Sequence, residues 1–145
     1  IISGAKAAVG RAAEAGKALG VRRFMPLNVS APFHCALMQP AATAMRDALA
    51  KTEIKRPVVP LVANVTAAPV SDPAEIGSLL VAQVTSTVRW RESVLAMAKA
   101  GVTTFYEIGS GKVLAGLVRG IDKSLKAESI GTPADLAASL PGLMA

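Results

Sequence analysis

Hydrophobic and polar positions along the chain follow two spacings, one typical of β-strands and the other of α-helices. Continuous apolar or β-branched runs predict strands at 21–29, 58–65, 103–108 and around 128–130. Between these runs, apolar residues recur every three or four positions, which predicts helices at 4–19, 35–52, 73–83, 89–100, 113–121 and briefly after 132. Strands that alternate with helices indicate an α/β protein with a largely parallel sheet.

Residues with capping propensity mark several of the predicted boundaries. Asp72 precedes Pro73 and stands three positions before Glu75, which is the arrangement of a capping box at the start of a helix. At the beginning of the chain, Ile1–Ile2 predicts the end of a strand and Ser3 predicts a helix cap. The first part of the chain is therefore expected to run from a strand end through a helix into a second strand.

The segment 28–40 contains the only histidine and the only cysteine of the chain. Pro32 disfavours a helical conformation for the residue before it, so His34 is expected on a turn between a strand and a helix. Functional sites of α/β proteins are built at such turns, and an imidazole can exchange a proton near neutral pH. His34 is therefore a candidate acid–base residue, although a purely structural histidine fits the same pattern.

Other chemistries find less support in the sequence. A zinc site needs three or four ligands, and the side chain of Cys35 is expected to point away from that of His34. The turn 109–112 resembles a phosphate-binding loop but lacks the required glycine and hydroxyl, since Tyr106 and Val113 occupy those positions. No Gly-x-Ser-x-Gly motif occurs. The residues alone thus predict a base without an assigned nucleophile and no metal site.

Composition sets the class of protein and of partner. The mean hydropathy of +0.44 argues against a disordered chain, and no apolar run approaches the roughly 18 residues that span a bilayer. A single cysteine and the lack of a secretory signal favour a soluble protein of the cytoplasm. The net charge of +6 suggests an acidic partner, whereas scattered basic residues and few aromatic ones argue against nucleic acid.

Several stretches, in collinear order over nearly the whole chain, resemble malonyl-CoA:acyl carrier protein transacylases. They are Val29–Met38, Asn64–Val65, Gln83, Val88–Trp90 and Gly101–Leu114. The resemblance is to the carboxyl-terminal half of that family, and one departure is Ser110, where the family usually has proline. It fits the start of the chain at Ile1 within an apolar run, which we expect to be the interior of a longer protein.

The resemblance implies a fold and a division into domains. The chain would be the C-terminal part of an α/β-hydrolase-like acyltransferase domain together with part of a small ferredoxin-like subdomain. Residues 1–29 would form the later part of the small subdomain, and residues 30–145 would belong to the large domain. The first half of the same enzyme would then be an obligatory partner.

The resemblance also implies a reaction. A serine outside this chain would carry the malonyl group from malonyl-CoA to the phosphopantetheine thiol of acyl carrier protein, with no cofactor beyond the substrate. His34 would be the base, and the backbone carbonyl of Gln83 would orient it. Phe33 and Asn64 would line the substrate pocket, and the bulk of Phe33 would favour malonyl over methylmalonyl groups. A non-catalytic interaction module, or the histidine half of another cytosolic hydrolase, remains an alternative.

Overall fold

A computed structural model describes residues 1–143, and the chain divides into two compact units of mixed α/β structure. The first unit comprises Ile1–Arg89 and the second begins at Trp90. Within the described residues, no helix is both long enough and apolar enough to cross a membrane. The predicted boundary after residue 29, between a small subdomain and a large domain of the whole enzyme, stays a prediction.

The first unit contains three α-helices and a short antiparallel hairpin. Its elements are α1 (Lys6–Ala18), a 3₁₀ turn (Ala36–Met38), α2 (Gln39–Leu49), β1 (Leu61–Ala63), β2 (Ala68–Val70) and α3 (Pro73–Gln83). The hairpin pairs Leu61 with Val70. Its small core is formed by Ala63, Val70 and Ile76, and Leu79 is one of the residues packed around it.

Helix α3 starts at the predicted cap residue Asp72, whereas the Glu75 side chain makes no reciprocal bond of a capping box among the described residues. The backbone amide of Ala74 donates to the Asp72 carboxylate at 3.0 Å, and Pro73 occupies the first helical position, where its missing N–H has no intrahelical acceptor to lose. The helix buries Ile76 against the hairpin. A local capping signal and a local apolar stripe therefore fix the element whose far end carries Gln83.

The second unit is a β–α–β segment with one further helix before it and one after it. Its elements are α4 (Trp90–Lys99), β3 (Thr104–Ile108), α5 (Val113–Ile121), β4 (Lys126–Ile130) and α6 (Pro133–Leu143). Strands β3 and β4 are parallel and run in register from Thr104 opposite Lys126 to Ile108 opposite Ile130. The core contains Val94, Ala115, Val118, Leu125 and Ala127.

A carboxylate from the strand caps the helix that follows it in the second unit. The two oxygens of Glu107 accept the backbone amides of Leu114 at 3.1 Å and Ala115 at 2.9 Å, and the Ser129 hydroxyl donates to the same carboxylate at 3.3 Å. These bonds, above all the one from Ala115, hold the pKa of Glu107 below its ordinary value of 4.5. The strand, the turn and α5 are thereby joined by one side chain.

Strand predictions in the first unit were wrong in three places. Ile1–Ile2 and 21–29 are not strands, and in the run 58–65 only Leu61–Ala63 is a strand. Val21 is 50% exposed and Val29 is 58% exposed. A strand needs a neighbouring strand to satisfy its backbone amides and carbonyls, and the described residues offer none to 21–29.

Two further corrections concern the sheet and the helix after His34. The segment 66–72, for which the hydrophobic pattern predicts no strand, contains strand β2, so the sheet of the first unit is antiparallel. The prediction of parallel pairing is confirmed only for β3 and β4. The predicted helix over 35–52 begins as a 3₁₀ turn and becomes an α-helix at Gln39, ending at Leu49.

Candidate active site

His34 lies on the turn that leads into the 3₁₀ segment of the first unit. Its backbone φ is 61°, in the left-handed region, and among described non-glycine residues only Ala67 shares a positive φ. Left-handed conformations cost L-residues energy and are maintained only when the surroundings impose them. The turn thus presents an exposed imidazole in a conformation that the local sequence alone would not favour.

The imidazole reaches a residue 49 positions further along the chain. His34 Nδ1 lies 3.0 Å from the backbone carbonyl oxygen of Gln83. A carbonyl oxygen can only accept a hydrogen bond, so Nδ1 is the donor and carries a proton. In the neutral ring, Nε2 therefore keeps its lone pair. This geometry leaves His34 able to take a proton through Nε2.

The carbonyl of Gln83 is available because of its position in α3. Gln83 is the last residue of that helix, and the final carbonyls of an α-helix have no intrahelical donor. A helix C-terminus also carries partial negative charge, which favours a positively charged partner. The end of α3 can therefore orient an imidazole without a carboxylate.

The residues on either side of His34 have different environments. The Cys35 thiol donates to the Pro32 carbonyl at 3.1 Å, and the cysteine is partly buried. The ring of Phe33 is 44% exposed within this chain. Phe33 thus has a free face beside the candidate base, while the thiol is engaged with its own turn.

Asn64, the other predicted pocket residue, lies at the end of β1. Its backbone carbonyl accepts the amide of Arg89 at 2.8 Å, and the Arg89 guanidinium donates to the Thr66 carbonyl at 2.9 Å. The structure therefore brings His34 together with Gln83 and ties Asn64 to Arg89. A role for Phe33 or Asn64 in substrate binding stays a prediction.

Sequence reasoning overlooked how the side chain of Gln83 is used. In the sequence, Gln83 is the one polar residue on the predicted helical stripe that also carries Ile76, Leu79 and Leu80. In the structure, its Nε2 donates to the Ser86 carbonyl at 3.0 Å, and its buried Oε1 has no hydrogen-bond partner.

Within residues 1–143, no group of three or more His, Cys, Asp or Glu side chains could hold a metal ion.

Comparison with known proteins gives one consistent result. The chain is 46% identical over 140 residues to the malonyl CoA-acyl carrier protein transacylase of Salmonella typhimurium, a match that covers 97% of this chain and 45% of that protein. The crystal structure of the acyl-carrier-protein-S-malonyltransferase from Bartonella henselae has a TM-score of 0.87 at 51% identity, covering 95% of this chain and 44% of that one. No protein-family model matches.

A third match includes a partner. It is a type II PKS acyl-carrier protein in complex with its malonyl-transacylase, with a TM-score of 0.87 at 40% identity, covering 94% of this chain and 44% of that one. The chain spans less than half the length of the curated relatives it matches. By sequence and by structure, this chain is a homologue of the C-terminal part of the malonyl CoA-acyl carrier protein transacylases.

Proposed function

We propose that this chain is the C-terminal part of an enzyme that transfers a malonyl group from malonyl-CoA to the phosphopantetheine thiol of acyl carrier protein in fatty acid biosynthesis. The observation that carries the proposal is the 3.0 Å contact between His34 Nδ1 and the Gln83 carbonyl, which leaves Nε2 free to act as a base. The names of the relatives support the reaction, and the matched complex supports the carrier protein as partner.

In the proposed mechanism, His34 moves one proton in each half-reaction. Its Nε2 takes the proton of a serine hydroxyl that lies outside this chain as the serine oxygen attacks the thioester carbonyl. The C–S bond breaks, and the proton passes to the departing CoA sulfur. The carrier thiol then gives its proton to His34, attacks the malonyl-serine ester, and the serine oxygen recovers the proton. Throughout, the Gln83 carbonyl holds the ring through Nδ1.

The remaining parts of the proposal follow from the same family. The whole enzyme would be an α/β-hydrolase-like domain with a ferredoxin-like subdomain, to which residues 1–29 contribute. It would act in the cytoplasm and need no cofactor, because malonyl-CoA itself supplies the acyl group. The serine, the oxyanion-binding donors and the group that binds the malonyl carboxylate would come from the preceding half, so this chain alone would be inactive.

The test is replacement of His34 in the intact enzyme. We expect His34→Gln to lower the rate of malonyl transfer by about 10² to 10⁴-fold, the usual contribution of a general base. Cys35→Ala is the matched control, because it removes the neighbouring thiol and should leave the rate nearly unchanged. Circular dichroism of both variants establishes that they fold.

Other outcomes identify the alternatives. A His34→Gln variant with unchanged transfer would contradict a catalytic role and favour an interaction module of the same fold. An enzyme that hydrolyses thioesters but does not pass the acyl group to the carrier thiol would favour a hydrolase. Loss of activity in Cys35→Ala alone would place the chemistry on the thiol and overturn the assignment of His34.

A further inference from the structure

The side chain of Gln83 closes a ring with the turn that follows α3. Its Nε2 donates to the Ser86 carbonyl at 3.0 Å and lies 3.5 Å from the Thr87 carbonyl. In the opposite direction, the Ser86 amide donates to the Gln83 carbonyl at 3.4 Å. That carbonyl is the one that accepts His34 Nδ1. The backbone carbonyl of Gln83 therefore accepts the imidazole, while its side-chain amide binds the turn that follows the same carbonyl.

The far end of the same turn is also held. The Arg89 amide donates to the Asn64 carbonyl at 2.8 Å, and its guanidinium donates to the Thr66 carbonyl at 2.9 Å. The segment 84–89 is thus fixed at one end by Gln83 and at the other by the β1–β2 hairpin. The backbone amides of Val84 and Thr85 continue the helical hydrogen bonds of α3, and the Gln83 amide adds a side-chain bond that ties the Ser86 carbonyl to the same helix end.

The orientation of that amide is set by its surroundings. If the amide were rotated by half a turn, Oε1 would face the Ser86 carbonyl and two acceptors would meet, so Nε2 must point there. The rotation that satisfies Ser86 leaves Oε1 buried without a donor. A buried amide oxygen without a donor costs free energy, so the bond from Nε2 to Ser86 is made at the expense of Oε1.

We propose that the side-chain amide of Gln83 is a positioning group that fixes its own carbonyl against His34 and thereby sets which ring nitrogen acts as the base. The inference rests on the proposed function, because it assigns the amide to the same reaction. The nitrogen that carries the proton in a neutral imidazole is set by the hydrogen bond of the other nitrogen. A carbonyl that moves freely would let the proton distribute between Nδ1 and Nε2.

The experiment compares Gln83→Met with Gln39→Met in the intact enzyme. Methionine matches glutamine in length but cannot donate to Ser86, and Gln39 is an exposed glutamine at the start of α2. Histidine labelled with ¹⁵N reports the tautomer directly, and the His34→Gln variant identifies the signals of His34. We expect wild type and Gln39→Met to hold the proton on Nδ1, and Gln83→Met to lose that preference.

The kinetic expectation follows from the same geometry. Gln83→Met should lower kcat by roughly 10- to 100-fold with KM for malonyl-CoA little changed, since the base is misplaced rather than the substrate. Gln83→Glu, measured above neutral pH, is the second variant, because its carboxylate would face the Ser86 carbonyl and repel it. Gln83→Glu should show the same change of His34 tautomer. It replaces Gln83→Met in the test if that variant does not fold.

The outcomes separate this inference from the proposed function. Folded Gln83 variants with a wild-type tautomer and wild-type kcat would overturn the positioning role, even where His34→Gln abolishes transfer. An enzyme without transfer activity whose His34 tautomer nevertheless depends on Gln83 would overturn the proposed function and support the positioning role. Loss of both tautomer control and kcat supports the two together.

Discussion

At the scale of single residues, two neighbours of one turn carry most of the candidate chemistry. His34 is held in a left-handed conformation with its ring exposed, and Phe33 presents a partly exposed ring beside it. Strained conformations concentrate at functional sites because the surrounding structure must maintain them for a reason other than local preference. The positive φ of His34 is thus an indication of a functional turn that is independent of the imidazole chemistry.

Phe33 gives a prediction about substrate choice. In the intact enzyme, we expect Phe33→Ala to raise the ratio of methylmalonyl to malonyl kcat/KM by about tenfold, because removing the ring makes room for one methyl group. Both rates are measured with the two CoA esters. Phe24→Ala is the control, since it removes the same ring elsewhere in the first unit. An unchanged ratio in Phe33→Ala would mean that the ring does not border the acyl group.

At the scale of elements, the ends of helices provide the supports. The C-terminus of α3 supplies the carbonyl that His34 contacts, and the N-terminus of α5 is bound by the Glu107 carboxylate from β3. In α6, Thr132 and Asp135 cap each other, with the Thr132 amide donating to the carboxylate at 2.9 Å. Unsatisfied backbone groups at helix ends are therefore used both for stability and for the site.

Glu107 gives a prediction about acid stability. Its pKa is lowered in the folded state, so it stabilises the fold above its unfolded value of 4.5, and this contribution is lost as the pH falls through the lower, folded value. We expect Glu107→Gln to be less stable than wild type near neutral pH, with the difference shrinking in acid. Urea unfolding followed from about pH 7 to about pH 3 measures this difference.

The control for that series is Glu128→Gln, which removes an exposed carboxylate from the neighbouring strand β4. It should change stability little at any of these pH values. Asp135 also has a lowered pKa, caused first by the Thr132 hydroxyl, so some acid loss persists in Glu107→Gln. A Glu107→Gln variant as stable as wild type at neutral pH would show that the strand-to-helix cap contributes nothing.

At the scale of the whole chain, many large apolar side chains are exposed to solvent. Large apolar side chains are among the exposed ones, including Val21, Met25, Leu27 and Val29. Burying such surface is the main favourable term in folding. We therefore expect these side chains to be covered by another part of the proposed enzyme.

That expectation leads to a prediction about acylation. Incubated with malonyl-CoA, the intact enzyme should gain one malonyl group, and peptide mapping should place the ester on a serine outside residues 1–145. The isolated chain should gain none, because it supplies a base without the nucleophile. Denaturing mass spectrometry measures both. An ester on a residue of this chain would contradict the assignment of roles.

Much of the second unit could be predicted from the sequence. The strand at 104–108, helix α5 and strand β4 lie within or close to the predicted ranges, because turns and caps beside them are local signals. The strands of the first unit could not be predicted equally well. The run 21–29 has the composition of a strand, yet composition does not provide the partner that a strand needs.

For the candidate site, His34 stood out as the only histidine on a predicted turn, and the family resemblance pointed to Gln83. The hydrogen bond from the Gln83 side-chain amide to the Ser86 carbonyl could not be predicted from the sequence. The only signal was a glutamine on an apolar stripe, which a half-exposed helix end would also show. Which carbonyls the amide meets depends on the path of 84–89, and Arg89 and the hairpin help to fix that path.

The sequence by itself determined most of the helices, the Asp72 cap and the single imidazole, because a helix satisfies its hydrogen bonds within a few residues and periodicity records this. The predicted Ser3 cap was wrong, since α1 begins after Ala5 without a side-chain cap. Tertiary structure alone decided the antiparallel pairing of β1 with β2, the left-handed turn at His34 and the contact of its ring with Gln83, 49 residues away. The ring contact joins groups that only folding brings within hydrogen-bonding distance, whereas the hairpin pairing and the turn at His34 are local conformations that hydrophobic periodicity does not record.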